Sequence, residues 1–192
     1  MDSLEMKAAG FGRRLLAHGV DLLIFIPLAK LIYPDTRAEF FSTQVLVSLI
    51  GYVYFFYFYS RFGQTVGKMM AGVKIVKLNG EPIGFFETLK RKSVDIGLEI
   101  ARIGATAFVL FASAEDQFQQ IPIDQRIMSI YTTTPLLMIL MTIWGFWAFA
   151  DAIILFFNPQ KRAAHDFIAG TRAIIVPSLL KRFSEGSNTP SV

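Results

Sequence analysis

The 192-residue chain is 53% hydrophobic and 18% charged, against roughly 45–50% and about 25% in average soluble domains. It contains no cysteine, which excludes disulfides and thiolate metal sites. Its formal net charge is +4, but the basic residues flank apolar stretches instead of lining one groove, so no nucleic-acid partner is expected.

Residues 1–12 read as a short arm at a membrane interface, and Arg13 and Arg14 mark the membrane edge. The first apolar stretch, 15–33, is longer than a signal-peptide core, carries Asp21 and Pro27, and is followed by no A-x-A-like cleavage site, so it reads as a retained span. Tyr33-Pro34-Asp35 would end it, with a brief external loop over 37–41. A second span, 43–60, ends in an aromatic run from Tyr52 to Tyr59 that suits the inner interface and helix packing better than a cofactor cage. In the loop 61–92, residues 65–71 suggest a helical turn. Residues 73–78 alternate imperfectly and Asn79-Gly80 is a preferred two-residue turn, which together predict a small hairpin.

Span three, 93–113, carries Asp95, Glu99 and Arg102, and 114–126 is polar enough for an external loop. The run 127–157 exceeds one crossing of a hydrocarbon core roughly 30 Å thick, and Pro135 offers the bend, so a surface or external lead-in is expected before Pro135 and span four at 136–157; the alternative, two half-spans that would put the C terminus outside, is disfavoured by the basic C-terminal segment. No internal repeat is visible, and 184–192 reads as a disordered tail after a single domain over 1–183.

Basic residues set the orientation. Fifteen of the nineteen Lys and Arg fall in the N-terminal arm, in 61–92 and after 160, which places both termini and that loop in the cytoplasm by the positive-inside rule. The fold class is therefore an all-α membrane protein of about four transmembrane helices with a small cytoplasmic hairpin-like loop, and anionic lipids are natural contacts for its basic segments.

Charged residues in hydrocarbon are costly enough to be functional candidates. Asp21, Glu99 and Asp151 are expected at comparable depth, about a third of the way in from the cytoplasm. His18 lies one turn before Asp21, while Arg91, Asp95, Glu99 and Arg102 form one polar stripe. Neighbouring carboxylates in a weakly solvated site resist ionising together, so such a group exchanges protons for cations. The plainer reading is that Arg102 and His18 neutralise these acids and fasten helices, and that Asp151, on one face with Trp144 and Trp147, pairs with an interfacial base.

Other motifs carry less. Gly63-Gln64-Thr65-Val66-Gly67-Lys68-Met69 has too short a spacing and no Ser or Thr for a phosphate loop. His165 and Asp166 are adjacent and point in different directions on a helix, and the two histidines lack metal-ligand spacing. With no activated nucleophile either, no enzyme activity, metal or cofactor is expected.

Taken in order, Arg14-Leu15-Leu16-Ala17-His18-Gly19-Val20-Asp21, the Gly63–Lys68 segment with Gly72–Val76, and His165-Asp166-Phe167-Ile168-Ala169-Gly170-Thr171 resemble the RDD family of membrane proteins over about residues 11–176. The resemblance marks Arg14, Asp21, Gly63, Thr65, Gly67, Lys68, His165 and Asp166 as family positions, with Asp166 or Asp95 as the second aspartate. It implies transport, with sodium or other cation/proton antiport suggested for some members, in a bacterial inner membrane; because four spans from one chain are too few to enclose a generous pathway, a homo-oligomer or a membrane-protein partner is expected.

The combined reading is cation (Na+ or K+)/proton exchange using Asp21 with Glu99 or Asp95, Arg14 and Arg102 tuning them, His18 relaying protons, and Asp151 as a further candidate. The alternative is a non-catalytic scaffold or assembly factor that binds a partner or lipid through the basic loop.

Overall fold

The computed structural model describes residues 7–30, 36–112, 118–122 and 125–179. Along the chain run α1 (Phe11–Lys30), α2 (Arg37–Phe62), α3 (Val66–Ala71), β1 (Val73–Lys77), α4 (Phe85–Ala112), α5 (Arg126–Thr133), α6 (Pro135–Phe157), α7 (Ala164–Ala169) and β2 (Thr171–Ile175). The Tyr33-Pro34-Asp35 stop and the 184–192 tail lie outside the described residues.

Two helices, α2 and α6, are long and apolar enough to cross a membrane. Both turn their apolar side chains outward, among them Leu46, Leu49 and Val53 on α2 and Ile139, Phe146 and Phe149 on α6. The helices α1 and α4 are likewise inverted relative to a soluble protein: Arg14, Asp21, Arg91, Glu99 and Arg102 are buried, while Leu15, Leu22, Leu23, Ile100 and Phe108 are exposed. In water such a surface would be unstable; against lipid tails it costs nothing, and the charges are the groups that need shelter.

Several boundaries differ from those expected. Residues 37–41, read as a loop, are the first turn of α2, which begins with Arg37 bonding the Leu110 carbonyl at 2.7 Å. Helix α4 starts eight residues before 93, so the 61–92 segment contains α3, β1 and the first two turns of α4. The break before Pro135 is present: Thr134 is extended (ψ 106°) between α5 and α6, as the residue before a proline prefers.

The fold is not purely helical. β1 pairs antiparallel with β2, from Val73 opposite Ile175 to Lys77 opposite Thr171. The Asn79-Gly80 turn does fold back, but only as far as a bridge between Val76 and Pro82 and an N–H of Lys77 donating to the Glu81 carbonyl at 2.9 Å. The N-terminal arm joins the other edge: Ala9 N–H donates to the Ala173 carbonyl at 2.9 Å and Ile175 N–H to that of Lys7 at 2.8 Å.

Nor is the chain free of internal repetition. α3, Gly72 and β1 form a six-residue helix, a left-handed glycine and a five-residue strand; α7, Gly170 and β2 form the same unit. Gly72 (φ 66°) and Gly170 (φ 63°) adopt the backbone conformation that ends each helix without a Cβ penalty. The sequence trace is faint, Ala71-Gly72-Val73 against Ala169-Gly170-Thr171. Because the strands pair antiparallel in symmetric register about Ile75 and Ala173, the two units are related by an approximate local twofold axis.

The chain divides into two compact units. The first comprises 1–25, 54–91 and 150–192, with a core of Ala9, Ala17, Tyr59, Ala71, Val73, Ile75, Ile83 and Ala173. The second comprises 26–53 and 92–149, with Phe40, Ala105, Leu110, Phe118, Ile130 and Leu137 at its centre.

Candidate functional site

The first unit holds two buried charged centres, each built where α1 meets one copy of the helix–glycine–strand repeat. Arg14 and Asp21 lie seven residues apart on one face of α1. Arg14 serves α7 and Asp21 serves α3.

At the α3 end, Asp21 is 3% exposed. Its Oδ1 accepts from the Tyr54 hydroxyl at 2.8 Å and from the Gly67 backbone N–H at 2.8 Å, and its Oδ2 accepts from the Thr65 hydroxyl at 2.6 Å. Thr65 also caps α3, accepting from the Lys68 backbone N–H at 3.3 Å. Tyr54 accepts in turn from the Val66 N–H at 2.9 Å. Gly67 is glycine for a steric reason: a Cβ there would stand 2.1 Å from the Ala17 carbonyl oxygen and 2.8 Å from the Asp21 carboxylate. The carboxylate is thus ringed by oxygens and one amide, and none of these three donors is a basic side chain.

At the α7 end, Asp166 is fully buried. Arg14 Nη1 donates to its Oδ2 at 2.6 Å, Arg91 donates to its Oδ1, and the Ala163 backbone N–H donates at 3.0 Å. Thr171 at the head of β2 joins both Arg91, at 2.7 Å, and Asp166. Arg14 is completed by the carbonyls of Ala9 at 3.1 Å and Lys161 at 2.7 Å. His165 stands between Arg91, 2.6 Å from Nε2, and Asp151, 2.7 Å from Nδ1. A neutral ring satisfies both contacts, accepting at Nε2 and donating at Nδ1.

Burial alone would raise the Asp166 pKa, but Arg91 above all, with Arg14 and the Ala163 N–H, outweighs it and holds the carboxyl well below the usual carboxylate range. Burial and then the Arg91 charge push His165 below its ordinary value, against the opposing pull of Asp151 and Asp166.

The second unit has its own cluster. Glu99 and Arg102 pair through two bonds, Nε to Oε2 at 2.9 Å and Nη2 to Oε1 at 2.6 Å. Ser48 donates to Glu99, Tyr131 hydrogen-bonds Arg102, and Gln44 accepts from Arg102 at 3.3 Å. Asp95 pairs with Lys92 at 2.8 Å and accepts from Trp147 Nε1 at 3.1 Å.

The sequence expectations sort accordingly. Asp21, Glu99 and Arg102 are buried as expected, and Asp151 pairs with a base, His165. Arg14 does not neutralise Asp21; it is committed to Asp166, because α7 returns to the start of α1 late in the chain. The polar stripe on α4 is divided: Arg91 turns to Asp166, Asp95 to Lys92, and Glu99 to Arg102. Asp21 belongs to one compact unit, and Asp95 and Glu99 to the other. His18 is exposed. His165 and Asp166, set aside as a mere adjacent pair, anchor the densest network; their divergent directions let one reach Asp151 while the other meets Arg14, and Arg91 contacts both. Among the described residues no group of three or more His, Asp or Glu side chains is placed to hold a metal.

No curated protein and no solved structure matches the chain. The model of the RDD family matches residues 8–170, a segment that contains Asp21 with its side-chain partners Tyr54 and Thr65, and Asp166 with Arg14 and Arg91. That match covers most of the chain, which therefore belongs to the RDD family of membrane proteins.

Proposed function

We propose that this protein exchanges a monovalent cation, Na+ or K+, for protons across the bacterial inner membrane, with Asp21 as the exchanging carboxylate. The observation that carries this reading is the contrast between Asp21 and the other buried or half-buried acids. Asp166, Glu99, Asp95 and Asp151 each have a basic partner within ion-pair distance, whereas Asp21 is 3% exposed and held by two hydroxyls and an amide. An ionised carboxylate in such a place needs a mobile positive charge. The Tyr54 and Thr65 hydroxyls that now donate can rotate to offer lone pairs, and the Ala17 carbonyl supplies a further oxygen close to the same point. Oxygen donors of this kind suit hard cations, and a proton on Asp21 is the competing occupant.

In this reading the chain crosses the membrane four times, near 15–33, 43–60, 93–113 and 136–157, with both termini and the 61–92 segment in the cytoplasm. An oligomer would enclose the pathway, since four helices from one copy are few for it. In proteoliposomes a sodium or potassium gradient should then drive counter-movement of protons, and Asp21→Asn should abolish it while leaving the folded protein at its normal yield. Absence of proton movement in the wild type under either gradient refutes exchange.

The second reading is a membrane scaffold, favoured by the closed Glu99–Arg102 pair and the Arg14–Asp166–Arg91 assembly, which fasten elements without leaving open valences. It predicts no flux, and a partner or anionic lipid retained through the basic residues of 61–92.

A further inference from the structure

The short elements of the first unit are inverted in the same sense as the long helices. α3 buries Gly67, Lys68 and Ala71 and exposes Met70, while α7 buries Asp166 and Ala169 and exposes Phe167 and Ile168. The pattern holds at equivalent positions of the repeat: the third residue of each helix, Lys68 or Asp166, is charged and buried, and the fifth, Met70 or Ile168, is apolar and exposed. The first two turns of α4 show it again, burying Thr88 and Arg91 and exposing Phe85, Phe86 and Leu89. All of these residues lie outside the four spans, in segments that the positive-inside rule assigns to the cytoplasmic side. A surface of that kind facing water would be the wrong way out.

We infer that α3, α7 and the first two turns of α4 form a docking surface seated in the cytoplasmic leaflet, with anionic lipid as its partner. The inference rests on the four-span orientation proposed above and not on ion exchange. Three observations carry it. The first is depth: Gly67 N–H donates to Asp21 and Val66 N–H to Tyr54, and Asp21 lies seven residues past Arg14 as Tyr54 lies seven before Arg61. At about 1.5 Å per residue, the start of α3 is roughly 10 Å inward of both arginines. Backbone that is not part of a span is tolerated at such a depth when its polar groups turn to protein, as those of Thr65, Val66 and Gly67 do. The second is continuity, because Phe85 packs on Phe56 of α2 with ring centroids 5.2 Å apart, so the apolar face of α4 adjoins the surface of a span. The third is charge complementarity. Among the described residues of the first unit, the exposed basic side chains are Lys7, Arg13, Arg61, Lys90 and Lys161, and the exposed acid is Glu81. Basic side chains around inserted apolar ones suit phosphate headgroups above acyl chains, and long aliphatic stems let the charges reach the headgroups. Residues 61–92 then lie on the cytoplasmic side but partly in lipid, and the leaflet keeps Thr65 and Gly67 against Asp21.

The chain has no cysteine, so a nitroxide can be attached at one introduced cysteine at a time. The test places it at Met70→Cys, Phe86→Cys or Phe167→Cys in the full-length protein, in nanodiscs of phosphatidylglycerol and phosphatidylethanolamine, and compares collision with oxygen, which partitions into lipid, and with a water-soluble nickel chelate. Each label should favour oxygen several-fold, as labels at Leu49→Cys and Phe146→Cys within the spans should, whereas Asn79→Cys at the turn should favour nickel. Preference for nickel at 70, 86 and 167 puts the face in water and overturns the inference. Protection from both reagents there means that protein, a second copy or another partner, covers it, and overturns it equally. Should one variant not fold, the other two decide. For the headgroups, lipid retained by the purified wild type should be enriched in phosphatidylglycerol, and Arg61→Gln with Lys90→Gln should lower that enrichment several-fold; equal enrichment in the two proteins overturns the anionic partner. If the labels at Leu49→Cys and Phe146→Cys themselves favour nickel, the four-span reading fails, which is a distinguishable result.

Discussion

Arg14 donates to Asp166 across 2.6 Å, joining residues 152 positions apart in the chain. With Arg91 on the other carboxylate oxygen, this bond ties α1, α4 and α7 together at a point from which water is excluded.

Removing the acid at that junction would leave two guanidinium groups buried without their anion. Asp166→Asn is therefore expected to cost about 3–5 kcal/mol, seen as a sharp fall in melting temperature or in the yield of monodisperse protein. Stability equal to the wild type would show that the Arg14–Asp166–Arg91 assembly does not hold the fold.

The same network makes stability depend on pH, with a definite sign. Both His165 and Asp166 have folded-state pKa values below their unfolded ones, so the unfolded state takes up protons first as the pH falls, and each contribution is present above the unfolded value and lost below it. The His165 contribution begins to disappear below about pH 6.5 and that of Asp166 below about pH 4. Protonated His165 would also set an N–H against Arg91. Melting curves between pH 8 and 4 should show the first decline in the wild type and not in His165→Gln; a decline of equal size in that variant assigns it elsewhere.

Gly67 tests the close approach of α1 to α3. Gly67→Ala places a methyl 2.1 Å from the Ala17 carbonyl oxygen, an overpacking that costs about 1–3 kcal/mol or more and displaces the Asp21 carboxylate. Gly145→Ala, where a Cβ meets nothing within 4 Å, should be neutral. Thermal stability of the pair checks this, and equal behaviour of the two variants would contradict the packing at Asp21.

Glu99 and Arg102 offer a double-mutant cycle. Arg102→Leu leaves Glu99 with Ser48, and Glu99→Leu leaves Arg102 with the neutral groups of Gln44, Ser48 and Tyr131; each single change should destabilise by about 3–5 kcal/mol, while the double change costs much less than their sum. Additive losses would mean that the two side chains do not act as a pair.

Composition and length were enough to read a break at Pro135 with a long apolar helix after it, a helical turn at 65–71, and the burial of Asp21, Glu99 and Arg102. These depend on quantities local to each stretch: hydropathy, proline geometry, and the cost of a charge in hydrocarbon. The position of Thr65 before a short helix, and glycines at 63, 67 and 72, were also visible, although the reason for Gly67 is a neighbour on α1.

Partner choice was not local. Nothing near Arg14 in sequence distinguishes Asp21, seven residues on, from Asp166, and only the return of α7 and β2 to the start of α1 decides it. For the same reason β1 found its strand partner in β2, beyond the turn that suggested a hairpin. The helix–glycine–strand repeat went unseen because two chain segments with few identical residues reach the same backbone path through left-handed glycines. Sequence determined which groups had to be sheltered from lipid; tertiary structure decided which shelters which, because electrostatic pairing depends on distance in space and the chain brings those distances about only when it folds.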